Sequence, residues 1–392
     1  MAIVNNKYDC IIAGAGFAGA VCARELAQRG GKKVLLVEKR DHIGGNAFDV
    51  YDKAGILIHQ YGPHIFHTND QRAFQYLLRF TPWRDYSHEV AGNIYGKLIP
   101  IPFNLNSLHM VYEADKAERL EKKLVESYGM DKKVTILELR KNQDQELSQL
   151  ADYVYNNVFL YYTQKQWGTS PDEIDPAVTA RVPVFISRDN RYFQDRYQGI
   201  PEHGYTGLFK NMLQHENIDV LLSTDIKDLV TFSTNKILIN GENFNGTLIY
   251  TGALDELFQC RYGRLPYRTL DFGFETLGRE WFQEYGTVNY TVDQPYTRIT
   301  EFKHLSGQIK KDATTIVKEY SRAYTGAEGE IPYYAINNDE NNSLYNKYKE
   351  LTSAYVDFHL IGRLAEYKYY NMDAIVSKAL ELSDLLLKTE GF

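Results

Sequence analysis

Hydrophobic positions along this chain change period several times, and each change marks a change of element. Residues 8–13 (YDCIIA) form a short apolar run of β type, GAGFAG (14–19) follows, and AVCARELAQRG (20–30) repeats small and apolar residues at helical spacing. KKVLLVEKR then gives a second strand ending at Glu38. The predicted order is strand, glycine turn, helix, strand. From Asn104 to about Trp167 the pattern turns helical, through ADKAERLEKKLVESYG, a charged helix around Glu146 and LADYVYNNVFLYYTQKQW, which reads as an inserted helical bundle. Segments 182–197 and 269–300 alternate Tyr, Phe, Val and Thr with polar residues and predict strands divided by turns such as Asp189-Asn190. IDVLLSTDIKDLVTFSTNKILING and TLIYTGALDELF predict strands that return to the first unit. The last stretch, DFHLIGRLAEYKYYNMDAIVSKALELSDLLLK, predicts a strand, a glycine turn and a long amphipathic helix, and NNDENNS (337–343) reads as a solvated loop. The units are interleaved, each visited more than once.

Composition narrows the chemistry. A chain of 392 residues is long enough for more than one structural unit. Its net charge of -7 and pI near 5.9 exclude the basic face that nucleic acid requires, so any anionic ligand must meet local positive groups. Cys10, Cys22 and Cys260 show no CxxC spacing and are odd in number, as expected in a reducing cytoplasm; neither a disulfide scaffold nor a zinc site is indicated. The apolar run near the N-terminus is far too short to span a bilayer, so a soluble, unexported protein without membrane attachment is expected. Tyrosine is in excess, 31 against 19 phenylalanines and 3 tryptophans, and each buried ring brings a hydroxyl that needs a partner. Wet interfaces or a polar cleft follow.

The strongest motif is Gly14-x-Gly16-x-x-Gly19 between strand and helix. Gly14 allows the tight turn, Gly16 lets a pyrophosphate approach the backbone, and Gly19 lets helix pack on strand, while the helix N-terminus offers N–H donors. Glu38 follows about 20 residues later at the end of the second strand, where a carboxylate can accept ribose hydroxyls. Arg40 with Gly44 and Gly45 then resembles the R-x-x-G-G segment of flavoproteins, which favours FAD over NAD. In YGPHIFHTND (61–70), His64 and His67 can face a flavin or substrate, brace the loop as buried residues, or bind a metal; the metal lacks a completing carboxylate or Cys. Segments 161–168, 190–201, 295–301, 317–322 and 362–372 each set an Arg or Lys among tyrosines or other aromatics. Singly, each Tyr reads as core. Together the clusters point to a diphosphate-binding cleft.

GxGFAG, EKRDHIGGN, YGPHIFHTND, YTQKQWG, RYQGIP, PYTRITE and GRLAEYKYYNM together resemble the bacterial UDP-galactopyranose mutase family, in order and over essentially the whole chain. The resemblance implies an α/β fold: an FAD-binding Rossmann-like domain (1–85, 203–255, 321–392), an inserted helical domain (104–166) and an antiparallel β-sheet domain (86–103, 167–202, 256–320). It implies an intramolecular transferase that interconverts UDP-galactopyranose and UDP-galactofuranose through a covalent adduct between galactose and N5 of reduced FAD, supplying galactofuranose for cell-surface glycans. NAD(P)H or another reductant and a homodimer are implied partners. A flavin amine oxidase-like oxidoreductase is the alternative, and it would need an apolar tunnel.

Residue by residue, the resemblance puts Arg181 and Arg363 on the substrate diphosphate, with hydroxyls from Tyr192, Tyr320 and Tyr369. Tyr162, Thr163, Trp167 and Phe193 would wall the uridine and sugar, with Trp167 on a mobile loop (about 168–180). Arg298 would lie near flavin and sugar, and His67 beside the isoalloxazine as a catalytic residue. FAD contacts would come from Gly14, Gly16, Phe17, Gly19, Glu38, Lys39, Gly45, Asn46, His64, Ile65, Arg363, Tyr370, Asn371, Met372 and Ile375. The helix starting near Met372 would aim its N-terminus at the electron-rich edge of reduced flavin. Two positions depart from the family pattern: Asn371 replaces Asp near the diphosphate, and His88 replaces Asn at a substrate contact.

Overall fold

The structure, a computed structural model, describes residues 7–168 and 183–389. Its first unit is a five-stranded, all-parallel sheet in the order Ile218–Leu221, Val34–Val37, Cys10–Ala13, Thr247–Tyr250, Phe358–Leu360. Cys10–Ala13 and Val34–Val37 are buried along their whole length, as parallel strands covered on both faces must be, which is why they read as continuous apolar runs. Against one face pack the helices Phe17–Gly30, Gly204–Leu213 and Met372–Thr389, sharing one core.

The glycine turn works by close approach. Gly14 has φ +106°, and a Cβ there would lie 2.0 Å from Thr251 Oγ1; a Cβ on Gly19 would meet the Gly14 carbonyl at 1.9 Å. Gly16 caps the helix with no side-chain hydrogen bond, which leaves first-turn N–H groups for a ligand.

A second sheet has seven strands, in the order Tyr334–Ala335, Tyr267–Leu277, Thr314–Ala323, Arg298–Glu301, Thr287–Tyr290, Val90–Ile94, Lys97–Ile101. It is antiparallel except where Thr287–Tyr290 pairs with Val90–Ile94 in parallel. Helices Leu105–Val111, Ala114–Tyr128 and Gln145–Val154 form a separate apolar cluster that reaches Val90 and Ile101 of this sheet. A π-helical turn, Tyr155–Leu160, joins them to helix Tyr161–Trp167, and such turns recur at functional sites. No helix among the described residues is long and apolar enough to cross a membrane.

Two local expectations are corrected. The NNDENNS stretch is no loop: Asn338 accepts a hydrogen bond from Asn341 N at 2.8 Å and caps the helix Asp339–Thr352. Asn and Asp serve loops and helix starts alike, so composition misread a cap. Inside the helical region, Lys132–Val134 forms a short strand on Val184–Ile186. Tertiary pairing overrides local pattern there.

Candidate active site

One cavity of about 850 Å³ runs from the glycine turn to the seven-stranded sheet. At its first end lie Gly16, Phe17, Gly44, Asn46, Tyr61, His64, Ile65, Thr251, Tyr370, Met372 and Ile375. Glu38 is buried, and its carboxylate accepts from Ala15 N at 2.8 Å and Arg40 N at 3.0 Å, which fixes the strand end that a ribose would meet. Arg40 donates to Asn46 Oδ1 at 2.9 Å and lies over the Tyr61 ring at 4.4 Å, while its buried Nη1 has no partner among the described residues. A Cβ on Gly45 would stand 2.9 Å from the Gly16 Cα, so the two glycine segments touch backbone to backbone.

The histidines are held singly. His64 Nδ1 lies 2.9 Å from the Gly62 carbonyl, which can only accept, so Nδ1 carries the proton; the His64 backbone N–H donates to His59 Nδ1 at 2.9 Å. Burial pulls the His64 pKa down to about 3, His59 to about 4 and His88 to about 3, so all three are neutral near pH 7. His67 Nδ1 is 2.9 Å from Asp195 Oδ2, and its ring stacks on Phe193 at 3.5 Å. Asp195 thus fixes both tautomer and plane. Among the described residues no group of three or more His, Cys, Asp and Glu is placed to hold a metal ion.

The other end is walled by His88, Tyr162, Thr163, Trp167, Tyr192, Phe193, Arg298, Tyr334, Arg363, Tyr369 and Asn371. Arg363 sits between two rings, 4.4 Å from the Tyr369 centroid and 5.5 Å from that of Tyr334, and donates to the Tyr333 carbonyl at 3.1 Å. No carboxylate among the described residues pairs with it, so its charge is available to an anion. Arg298 differs: its Nε donates to Glu319 Oε2 at 3.0 Å in a buried pair. Burial pushes the Glu319 carboxyl up, and the Arg298 guanidinium beside it opposes this. Trp167 leans on Tyr334, with centroids 5.4 Å apart.

Most residues expected from the sequence therefore border one cavity, though they come from segments hundreds of positions apart. Gly14, Gly19, Glu38, Lys39 and Gly45 do not line it; Gly14, Gly19, Glu38 and Gly45 shape the turn behind it, whereas the exposed Lys39 ammonium lies 4.0 Å from Glu256. Tyr320 does not line it either. Strand residues alternate, so with Glu319 on the cavity side the Tyr320 ring points to the other face, edge-on to Tyr296 at 5.9 Å. Arg181 lies outside the described residues, as does most of the 168–180 loop. Glu319, Tyr334, Gln166 and Asn289 also line the cavity and escaped the sequence reading. A Glu within an apolar strand register was the available signal for Glu319.

A glycine-turn parallel sheet joined through one cavity to an Arg/Tyr-walled sheet defines a dinucleotide-binding enzyme with a second, anion-binding compartment. The UDP-galactopyranose mutase family profile matches residues 157–369, and an NAD(P)-binding Rossmann-like profile matches residues 12–80. Curated relatives include a dTDP-fucopyranose mutase of Escherichia coli, 34% identical over 96% of this chain and 98% of that protein. A UDP-galactopyranose mutase of Mycoplasma pneumoniae is 33% identical over 98% of this chain and 97% of its own length. A crystal structure of reduced UDP-galactopyranose mutase superposes with TM-score 0.68 at 17% identity, covering 97% of this chain and 94% of that one. A putative protoporphyrinogen oxidase from Exiguobacterium shares the fold at TM-score 0.60 and 12% identity, over 97% of this chain and 98% of that chain. The chain belongs to the UDP-galactopyranose mutase family.

It is an enzyme of that family, with FAD as its cofactor. The residues present fit FAD. The open first turn after Gly16, the unpartnered Arg40 Nη1 and the touching Gly16 and Gly45 backbones are what a dinucleotide diphosphate requires.

Proposed function

We propose that this protein interconverts UDP-galactopyranose and UDP-galactofuranose with FAD in its reduced form. The observation that carries this reading is the continuity of the cavity: the FAD end opens directly onto a wall of Arg363, Arg298 and four tyrosines (Tyr162, Tyr192, Tyr334, Tyr369). An amine oxidase-like site would need apolar walls in that place.

The chemistry that reduced FAD supplies when bound is nucleophilic assistance at the anomeric carbon. This chain's residues hold and orient the rest. Arg363, with which no carboxylate among the described residues pairs, offsets charge developing on the departing diphosphate, and Arg181 would join it there. Tyr369 and Tyr192 donate hydroxyls to phosphate oxygens, neutral donors that need no counter-charge. Tyr162, Trp167 and Phe193 supply planar faces, Thr163 and Asn371 polar contacts, and neutral His88 a hydrogen-bonding edge for the sugar. His67, oriented by Asp195, stands beside the flavin. Gly16, Phe17, Asn46, His64, Ile65, Tyr370, Met372 and Ile375 border FAD, which the glycine-turn domain (1–85, 203–255, 321–392) holds, and the sheet domain with the helical insert holds the nucleotide sugar together with Arg363, Tyr369 and Asn371 of the glycine-turn domain. A cytoplasmic homodimer reduced by NAD(P)H or another donor completes the proposal.

The similarity to a dTDP-fucopyranose mutase makes the sugar nucleotide the point to test. Dithionite-reduced protein is given UDP-galactofuranose and dTDP-fucofuranose in parallel, and pyranose products are read by chromatography. Turnover of the UDP sugar at a kcat/KM at least tenfold higher is expected. Preference for the dTDP sugar would replace the substrate while keeping the reaction.

A further inference from the structure

The helix Tyr161–Trp167 carries Tyr162, Thr163, Gln166 and Trp167 onto the cavity wall, and it is the last part of a run that stays helical from Gln145 through the π-helical turn Tyr155–Leu160. The carbonyls of its last turn have no partner within the helix and must be met from outside. What holds it lies behind the wall. The Gln166 carbonyl accepts from Ser321 Oγ at 2.7 Å and from Arg268 Nε at 3.1 Å, and the Lys165 carbonyl accepts from Arg268 Nη2 at 3.1 Å. Arg268 also donates to Ser321 Oγ at 3.4 Å and 3.3 Å, which ties both donors into one unit. A Cβ on Gly168 would come within 2.8 Å of Arg268 Nη1, so the guanidinium fills the space under the helix end. On the helix itself, Lys165 Nζ donates to the carbonyls of Tyr290, Gln294 and Tyr296, fastening the helix to the turn that leads into Arg298.

Arg268 is 9% exposed, and among the described residues no carboxylate pairs with it. Burying an unpaired guanidinium is costly, and a position needed only for packing accepts an apolar residue of similar volume. Its planar fork instead matches two successive carbonyls at the negative end of a helix.

We propose that Arg268 is a positioning residue which, with Ser321 and Lys165, fixes the end of the Tyr161–Trp167 helix and so sets the aromatic wall that receives the nucleotide. The inference rests on the nucleotide-sugar reading of this cavity. Arg268 does not line the cavity, so it acts through Trp167 and Tyr162.

The test is titration of FAD-loaded protein with UDP alone, followed by calorimetry, together with kcat and KM for the sugar nucleotide. Arg268→Met is expected to weaken UDP binding and raise KM by at least tenfold, with FAD content unchanged and kcat within threefold. Arg268→Lys, which keeps one donor, should recover part of the loss, and Ser321→Ala should shift binding in the same direction by less. In a Trp167→Phe background the effect of Arg268→Met should shrink, since the two residues act as one unit. Wild-type UDP affinity in a folded Arg268→Met protein would overturn the inference, as would a kcat loss at unchanged KM or effects that simply multiply in the double variant. Should Arg268→Met not fold, unchanged binding in Ser321→Ala and Arg268→Lys would overturn it equally. If wild-type protein itself fails to bind UDP, the functional reading fails instead.

Discussion

The two ends of the cavity are built from different material. At the FAD end recognition is by backbone: glycines without a Cβ, an open helix start and a carboxylate that pins the second strand. At the nucleotide-sugar end recognition is by side chains, drawn from a helix, strands of the seven-stranded sheet and loops spread between His88 and Asn371. The glycine turn of the backbone site is contiguous in sequence, because neighbouring N–H groups form it. A side-chain site need only be contiguous in space. The first is intolerant of added atoms, and the second is sensitive to removed ones.

Substitutions should follow that contrast. The largest effect is expected from adding atoms at the FAD end. Gly14→Val combines a backbone at φ +106° with a clash against Thr251, and flavin absorbance of the purified protein should fall to background. Full FAD content in that variant would dissolve the distinction. Next is removal at the other end: Arg363→Ala should retain FAD and lose turnover by about 10²- to 10³-fold, the range for one preorganised donor. Wild-type rate with Arg363→Ala would remove the guanidinium from the reaction.

A third expectation applies to both ends. His59, His64 and His88 are buried neutral, with pKa values held down to about 4, 3 and 3. An unfolded histidine titrates near 6.5, so below that pH the unfolded chain binds protons that the folded one refuses, and stability falls as the pH drops toward 4. Each contributes a loss of up to about 2 kcal/mol at pH 5. Thermal unfolding at pH 7.5 and pH 5.0 reads this, and His88→Asn should flatten the difference; an unchanged Tm across that range would contradict neutral burial. The smallest effect is expected for Tyr369→Phe, where one hydroxyl among several donors is worth about 1 kcal/mol, a several-fold rise in KM.

The same contrast explains what was legible in the sequence. The strand, glycine turn, helix and second strand lie where their periodicity puts them, because burial on both faces leaves continuous apolar runs at Cys10–Ala13 and Val34–Val37. Apart from the family resemblance, Arg298, Arg363 and Tyr369 were visible only as residues of Arg/Tyr segments, whose convergence depends on strand pairing that no local pattern specifies. Glu319 and Tyr334 escaped for that reason: register in the seven-stranded sheet sets Glu319 opposite Arg298. Tyr320 shows the limit most plainly. One step along a strand reverses a side chain, and a motif matched residue by residue carries no such sense of face. Arg268 was missed more completely, since its work lies behind the wall.

The tyrosine excess divides along the same boundary. Tyr162, Tyr192, Tyr334 and Tyr369 meet the cavity, whereas Tyr205, Tyr267, Tyr348 and Tyr367 are fully buried and pack the cores, with the Tyr367 hydroxyl donating to the Pro266 carbonyl at 2.6 Å.

The most direct measurement joins both ends of the cavity in one reaction: conversion of UDP-galactofuranose to UDP-galactopyranose by the same preparation, oxidised in air and reduced with dithionite, read by chromatography. Product from the reduced enzyme only is the expected result. Equal conversion by the oxidised enzyme, or none by a reduced enzyme that retains FAD and binds UDP, would contradict the account.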